Sequence, residues 1–205
     1  MIPCIEGTVT RVDERVLGQL RLERSYRSAI SFDRDYLLAL PSIHGGTPIA
    51  PYFTDSTGAT RRVGWFVSMY DEQTELPGPV QEDHMYHDSD TRVVDRSLPY
   101  LLKGEMSIYA AGENESRFYP FAALCEDSAE DSSAPFSLAW HFGCGNDSLC
   151  FDTSTTPSAV VYCNFHNAVA ALNDWEYNGK PYDYGHLVPV APSFKHFAHM
   201  LRPQA

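Results

Sequence analysis

Gly145-Asn146-Asp147-Ser148-Leu149-Cys150-Phe151-Asp152, followed by Pro157, the run Ala159-Val160-Val161-Tyr162 and then His166, is the stretch that decides how this chain folds. Residues 149–151 and 159–163 are short, apolar and partly β-branched or aromatic. The residues between them, 152–158, are rich in Thr, Ser and Pro, so the pair reads as a β-hairpin. The nearly continuous apolar character of 159–162 predicts a central strand covered on both faces rather than an edge strand with one wet face. Further on, Val188-Pro189-Val190-Ala191-Pro192-Ser193 leads into Phe194, Phe197, Ala198 and Leu201. That i, i+3, i+4, i+7 stripe, with Ser193 as its N-cap, predicts a short amphipathic helix that closes the chain and docks on the strands.

Working outward from this core, Ser31 is expected to start a helix through Phe32, Tyr36, Leu37 and Leu40. Asp33 and Asp35 lie near its positive N-terminal end, and Pro41 is expected to stop it. Gly45-Gly46-Thr47-Pro48 marks a turn. Val9, Val12, Val16 and Leu20 fall at helical spacing, while Val16, Gly18, Leu20 and Leu22 also alternate as a strand would; helix is the favoured reading. Residues 63–69, carrying Trp65, Phe66 and Val67, read as a strand, and 106–110 and 136–140 are further strand candidates. Trp65 and Trp140 are expected in the core. No internal repeat and no linker divides the 205 residues, so a single domain over 1–205 is expected.

Charge bounds the partners. Fifteen Lys and Arg against 27 Asp and Glu give a net charge of −12. Such a chain is poorly suited to nucleic acid phosphates or an anionic membrane, and a basic protein partner fits better; acidity that merely keeps the chain soluble is the competing explanation. The five cysteines, Cys4, Cys125, Cys144, Cys150 and Cys163, are odd in number and form no CxxC pair. This pattern fits reduced thiols in the cytoplasm. The N-terminus lacks the basic-then-apolar pattern of a signal peptide, and no apolar run reaches membrane-spanning length.

Two acidic stretches, 71–90 and 125–135, read as surface loops. The first holds Asp71, Glu72, Glu75, Glu82, Asp83, Asp88 and Asp90, no Lys or Arg, and Pro77 and Pro79. These seven carboxylates, with Trp175 in the polar, turn-forming stretch 173–179, are the candidate partner-binding residues; a solvated loop and a covered sheet edge are the plainer explanations. Glu82, Asp83, His84, His87 and Asp88 have metal-capable side chains, but the neighbouring prolines argue against the fixed ligands that a metal site needs. Cys163 and His166 are close in sequence, yet Cys163 reads as a small buried residue. Exposed polar positions account for His186, His196 and His199. With no phosphate-binding Gly-rich loop and no nucleophile elbow, neither catalytic residues nor a cofactor is expected.

The order of motifs resembles the SUKH superfamily. The residues that carry the resemblance are Tyr36 with Gly45-Gly46-Thr47-Pro48, Trp65-Phe66, Tyr119-Pro120-Phe121-Ala122, Gly145-Asn146 with 149–152, 160–162 to His166, and 190–197. The likeness spans residues 31–201 and is densest in the C-terminal third. Phe32-Asp33, Pro41 and His44 depart from the usual pattern. What the resemblance implies is an α+β fold with N-terminal helices, a bent, mostly antiparallel sheet and a closing C-terminal helix. It implies binding rather than catalysis: a bacterial immunity protein that neutralises a cognate toxin, or alternatively a regulatory scaffold of the same fold.

Overall fold

The computed structural model describes residues 1–9, 11, 12, 14, 17, 33–66, 117–125 and 147–204. Within them lie helix α1 (Arg34–Ile43), strands β1 (Tyr52–Thr54), β2 (Thr60–Phe66), β3 (Phe118–Cys125), β4 (Ser148–Asp152) and β5 (Ala159–Cys163), helix α2 (Phe165–Asn178), strand β6 (Leu187–Ala191) and helix α3 (Phe194–Met200). The six strands form one antiparallel sheet in chain order. This is the expected α+β architecture, with a helix before the sheet and a helix closing it.

The sheet bends until its two ends nearly meet. Ser56 N–H, in the β1–β2 turn, donates to Pro189 O on β6 (3.1 Å). After α3, Arg202 exchanges backbone hydrogen bonds with Tyr52 of β1 (2.9 and 3.0 Å). Pro189 has no N–H to offer an incoming strand, and Arg202 pairs with the short β1, so neither edge stands open as a template for another chain. Two register shifts assist the bend, one between Val63 and Trp65 and one between Pro120 and Ala122. The second also explains how a proline sits inside β3, since a bulge interrupts the ladder where proline lacks its donor.

β4 and β5 form the hairpin that their sequence predicts, in register from Ser148↔Cys163 to Asp152↔Ala159. Both faces are covered, as the apolar run of β5 requires. Val160, Tyr162, Leu149 and Phe151 join the larger core with α1 and α3, whereas Val161, Cys163, Cys150 and Phe118 join a smaller core with Ala168 of α2. Alternation along each strand divides its residues between the two cores.

In the larger core, Tyr36 from α1, Phe121 from β3, Phe151 from β4 and Phe194 and Phe197 from α3 gather their rings. Phe121 and Phe151 stack at 4.2 Å between centroids, and Tyr36 meets Phe151, Phe194 and Phe121 edge-on at 5.0, 5.3 and 5.8 Å. Each such pair contributes about 0.5–1.5 kcal/mol beyond the area it buries. α3 enters this cluster as expected: Ser193 caps it by accepting from His196 N–H (3.3 Å), and Phe194 and Phe197 are buried.

α1 differs from expectation at both ends. Its N-cap is Asp33, whose carboxylate accepts from Asp35 and Tyr36 N–H (2.8 and 3.2 Å); Ser31 and Phe32 lie outside the described residues. Pro41 does not stop the helix, which continues to Ile43. Leu40 and Ile43 are both fully buried, and each contributes about 1.5–3 kcal/mol by leaving water. That offsets the roughly 3 kcal/mol an interior proline costs, and His44 N–H still reaches Leu40 O (2.9 Å).

At the N-terminus the expected helix is met in part: Glu14 and Leu17 are helical, Val9 and Val12 lie ahead of the helical residues, and Val16 and Leu20 lie outside the described residues. Residues 3–5 run against the glycine turn, with Ile5 N–H donating to Thr47 O (2.8 Å) and Ile49 N–H to Pro3 O (2.9 Å). Gly46 permits this approach, for a Cβ there would stand 2.8 Å from Val9 Cγ2 and 2.9 Å from Cys4 Sγ. The strand expected at 63–69 is present as β2, which begins earlier at Thr60 and is described to Phe66, with Trp65 half-buried rather than fully in the core; residues 67–69 lie outside the described residues. Of the loop expected at 125–135, Cys125 is instead the last residue of β3, and 126–135 lie outside the described residues. Trp140 and the strand candidates 106–110 and 136–140 lie outside the described residues.

The Tyr36 hydroxyl is fully buried in the ring cluster and has no hydrogen-bond partner among the described residues. A buried, unsatisfied hydroxyl costs about 1–3 kcal/mol, so Tyr36→Phe is expected to raise stability by roughly 1 kcal/mol. Urea unfolding of both proteins measures it; a loss of stability would show that the hydroxyl is satisfied in solution.

Candidate protein-binding surface

Helix α2, absent from the sequence reading, organises the region that held Trp175. It starts at Asn164, whose side-chain oxygen accepts from Asn167 N–H (2.9 Å). Asp147, just before β4, accepts from Phe165 N–H (2.9 Å), from the Asn164 side-chain amide (3.2 Å) and from the Tyr162 hydroxyl. A carboxylate at this end complements the positive helix N-terminus. Burial and the hydrogen bond to Asp147 hold the Tyr162 phenol above its ordinary pKa.

The same network reaches across the bent sheet. The Arg61 guanidinium of β2 lies 3.5 Å above the Tyr162 ring, and its Nε donates to Asp55 Oδ2 at 2.6 Å. Asp55 is buried, and its other oxygen accepts from Thr57 N–H, Thr57 Oγ1 and Ala59 N–H (2.9, 2.5 and 3.1 Å). A matching arrangement holds the β4–β5 turn. Asp152 accepts from Ser154 N–H and Oγ (3.0 and 2.6 Å) and takes Arg117 through both oxygens (2.9 and 2.8 Å). These carboxylates fix turns, and their hydrogen-bonding capacity is largely filled.

The other end of α2 stands clear of the body. Ala168 and Ala171 are its buried residues, and from Asn173 to the end Asp174 alone is partly covered. The helix stops at Gly179 in the left-handed conformation (φ 63°), whose N–H donates to Asp174 O. Trp175 is 39% and Tyr177 75% exposed. Asp174 takes Lys180 Nζ (2.9 Å) and the Asn178 amide (2.8 Å), so Lys180 is already paired. No basic residue occupies the last turn. Two exposed aromatic rings at a negative helix end make a candidate surface for binding protein.

Of the sequence-predicted site residues, Trp175 is exposed, but on this helix rather than in a turn. Asp71, Glu72, Glu75, Glu82, Asp83, Asp88 and Asp90 lie outside the described residues, as do His84 and His87. His196 and His199 are exposed as expected; His186 is not. It is buried, with Nδ1 3.0 Å from Asp183 O and its ring among Tyr182 and Tyr184, because the loop after α2 folds back over the smaller core. Cys163 is fully buried, as read. Among the described residues no group of His, Cys, Asp and Glu is arranged to hold a metal ion, and no helix is long and apolar enough to cross a membrane.

Sequence reasoning missed Tyr177 and the helix that presents it. The signals were present: Asn164 as a cap, Ala168 and Ala171 three apart, and Gly179 as the stop. Comparison with known proteins adds no relative, since no family model, curated protein or solved structure matches the chain.

The turn carboxylates make stability depend on acid. Burial opposes ionisation of Asp55, but the hydrogen bonds from Thr57 and Arg61 outweigh it and hold its pKa below the ordinary value; Arg117 and Ser154 do the same for Asp152. A group depressed in the folded state stabilises above its unfolded pKa, about 3.9 for Asp, and loses that contribution as pH falls through the folded value. Wild-type stability should therefore drop below about pH 4. Asp55→Asn should cost about 2 kcal/mol at neutral pH and flatten this acid slope. Urea unfolding at neutral and acid pH tests both; an unchanged slope in the variant would remove Asp55 from this role.

Proposed function

We propose that this chain is a non-catalytic, SUKH-like binding module of the cytoplasm that neutralises a basic toxin by forming a stable complex with it. The observation that carries this reading is the exposed Trp175–Tyr177 end of α2 on a chain of net charge −12. Buried aromatic anchors supply most of the energy of typical interfaces, and complementary charge speeds encounter with the right partner. A toxin that attacks nucleic acid must be basic to engage phosphate, so an acidic protein can approach the same surface. The motif order of the C-terminal third supports the superfamily, and the antiparallel α+β fold is compatible with it. The acidic stretches 71–90 and 125–135 belong to the same reading as sources of long-range attraction.

The test is coexpression with the toxic C-terminal domain encoded by a neighbouring reading frame. Growth should be restored and a one-to-one complex should copurify. If no adjacent candidate is toxic or rescued, and pull-downs return several endogenous proteins, the regulatory-scaffold alternative replaces immunity.

A further inference from the structure

We propose that the last turn of α2 is a plug that enters a cationic groove of the partner, with arginine as the group that it recognises. The inference rests on the binding reading above and adds the surface and its chemistry. Trp175 and Tyr177 are two residues apart, so they project from nearly opposite sides of the helix. Trp175 continues the stripe of Ala168 and Ala171, at +4 and +7, and keeps 39% of its surface exposed, while Tyr177 is 75% exposed. A flat partner could engage one ring or the other. A groove takes both, one on each wall.

Charge fixes the chemistry of those walls. Between the rings stands Glu176, exposed, and the helix end contributes its negative dipole with no basic side chain in the last turn to offset it. Lys180 is held by Asp174 on this same end. An acidic site with a ring on each side suits guanidinium groups, which pair with the carboxylate and stack on the aromatic faces. A lysine ammonium meets the charge but stacks less well. The exposed apolar residues of the N-terminal ribbon, Ile5 and Ile49, lack such a pattern of charge and carry no comparable inference.

The probe is a short peptide of alternating arginine and glycine, titrated into the isotope-labelled full chain, with lysine–glycine and glutamate–glycine peptides as comparisons. The Trp175 indole and the amides around the helix end should move with the arginine peptide, more weakly with lysine and not with glutamate, and added salt should weaken the effect. The paired substitution W175A/Y177A should weaken arginine-peptide binding by about tenfold, the loss expected of an interface anchor. Glu176→Lys, at an exposed position where the fold has no stake, should weaken it as well without changing the melting temperature.

Shifts confined to other surfaces, equal binding of arginine and lysine, or binding unchanged by these variants would overturn the proposal. So would self-association of the wild type that W175A/Y177A abolishes, because the occupant would then be a second copy. The growth assay separates the two readings. Rescue by the wild type and equally by all the variants would sink the plug and leave immunity standing. Absence of rescue with the wild type sinks immunity, and the peptide titration still decides the surface.

Discussion

The ring cluster of Tyr36, Phe121, Phe151, Phe194 and Phe197 is the constraint on which the rest of the fold depends. Its members come from α1, β3, β4 and α3, elements spread over most of the chain, and at their meeting point the side chains are almost wholly out of water. An antiparallel sheet in chain order can form from local hairpins, but local pairing does not decide how far it bends or where the helices lie. The rings do. Aromatic side chains are large and have few rotamers, so packing both helices against the same pair of stacked phenylalanines sets their positions together. Tyr36 is there for its ring, since its hydroxyl finds no partner in this core.

Closure of the bent sheet needs a second device, because the ends of such a sheet carry polar turns. Asp55-Ser56-Thr57 and Asp152-Thr153-Ser154 solve this in the same way: an aspartate accepts the backbone N–H and the hydroxyl of the residue two ahead and fastens an arginine, Arg61 of β2 or Arg117 just ahead of β3. Arg61 then lies on Tyr162, tying the β1–β2 end to the β5 end, and Tyr162 passes the connection to Asp147 and the start of α2. The helix that presents Trp175 is thereby anchored at one end and free at the other. That asymmetry fixes the helix in place without burying its far end.

How legible all this was in the sequence depended on whether the signal was local. The β4–β5 hairpin, the two-sided burial of β5 and the Ser193 cap are set by contiguous apolar runs and a single capping residue, and they were readable. Pro41 misled because an intrinsic cost was weighed without the tertiary gain from Leu40 and Ile43 that offsets it. α2 escaped because its buried stripe is two alanines, a weak hydrophobic signal beside the polar and aromatic residues of its exposed end; its caps were the better guide. His186 was misplaced because its burial comes from a loop folding back, a contact with no counterpart in local sequence. Trp175 was found by its composition, while Tyr177, the more exposed ring, acquires meaning only once the helix is known.

The carboxylates divide along the same line. In the described residues, Asp33 caps a helix, Asp55 and Asp152 hold turns, Asp147 supports the start of α2 and Asp174 binds Lys180. Those charges are neutralised locally or enclosed, so they contribute little to the field that a distant partner would feel. Most of the chain's 27 acidic side chains lie elsewhere in the sequence, seven of them in 71–90 alone. A division of labour follows from the physics of range: unpaired surface carboxylates act over about a Debye length and govern approach, whereas desolvated rings act only on contact and govern residence. On this account the acidic stretches and the end of α2 are not rival binding sites. Under the proposed reading, the acidic stretches would raise the rate of encounter and the end of α2 would hold what has been brought near.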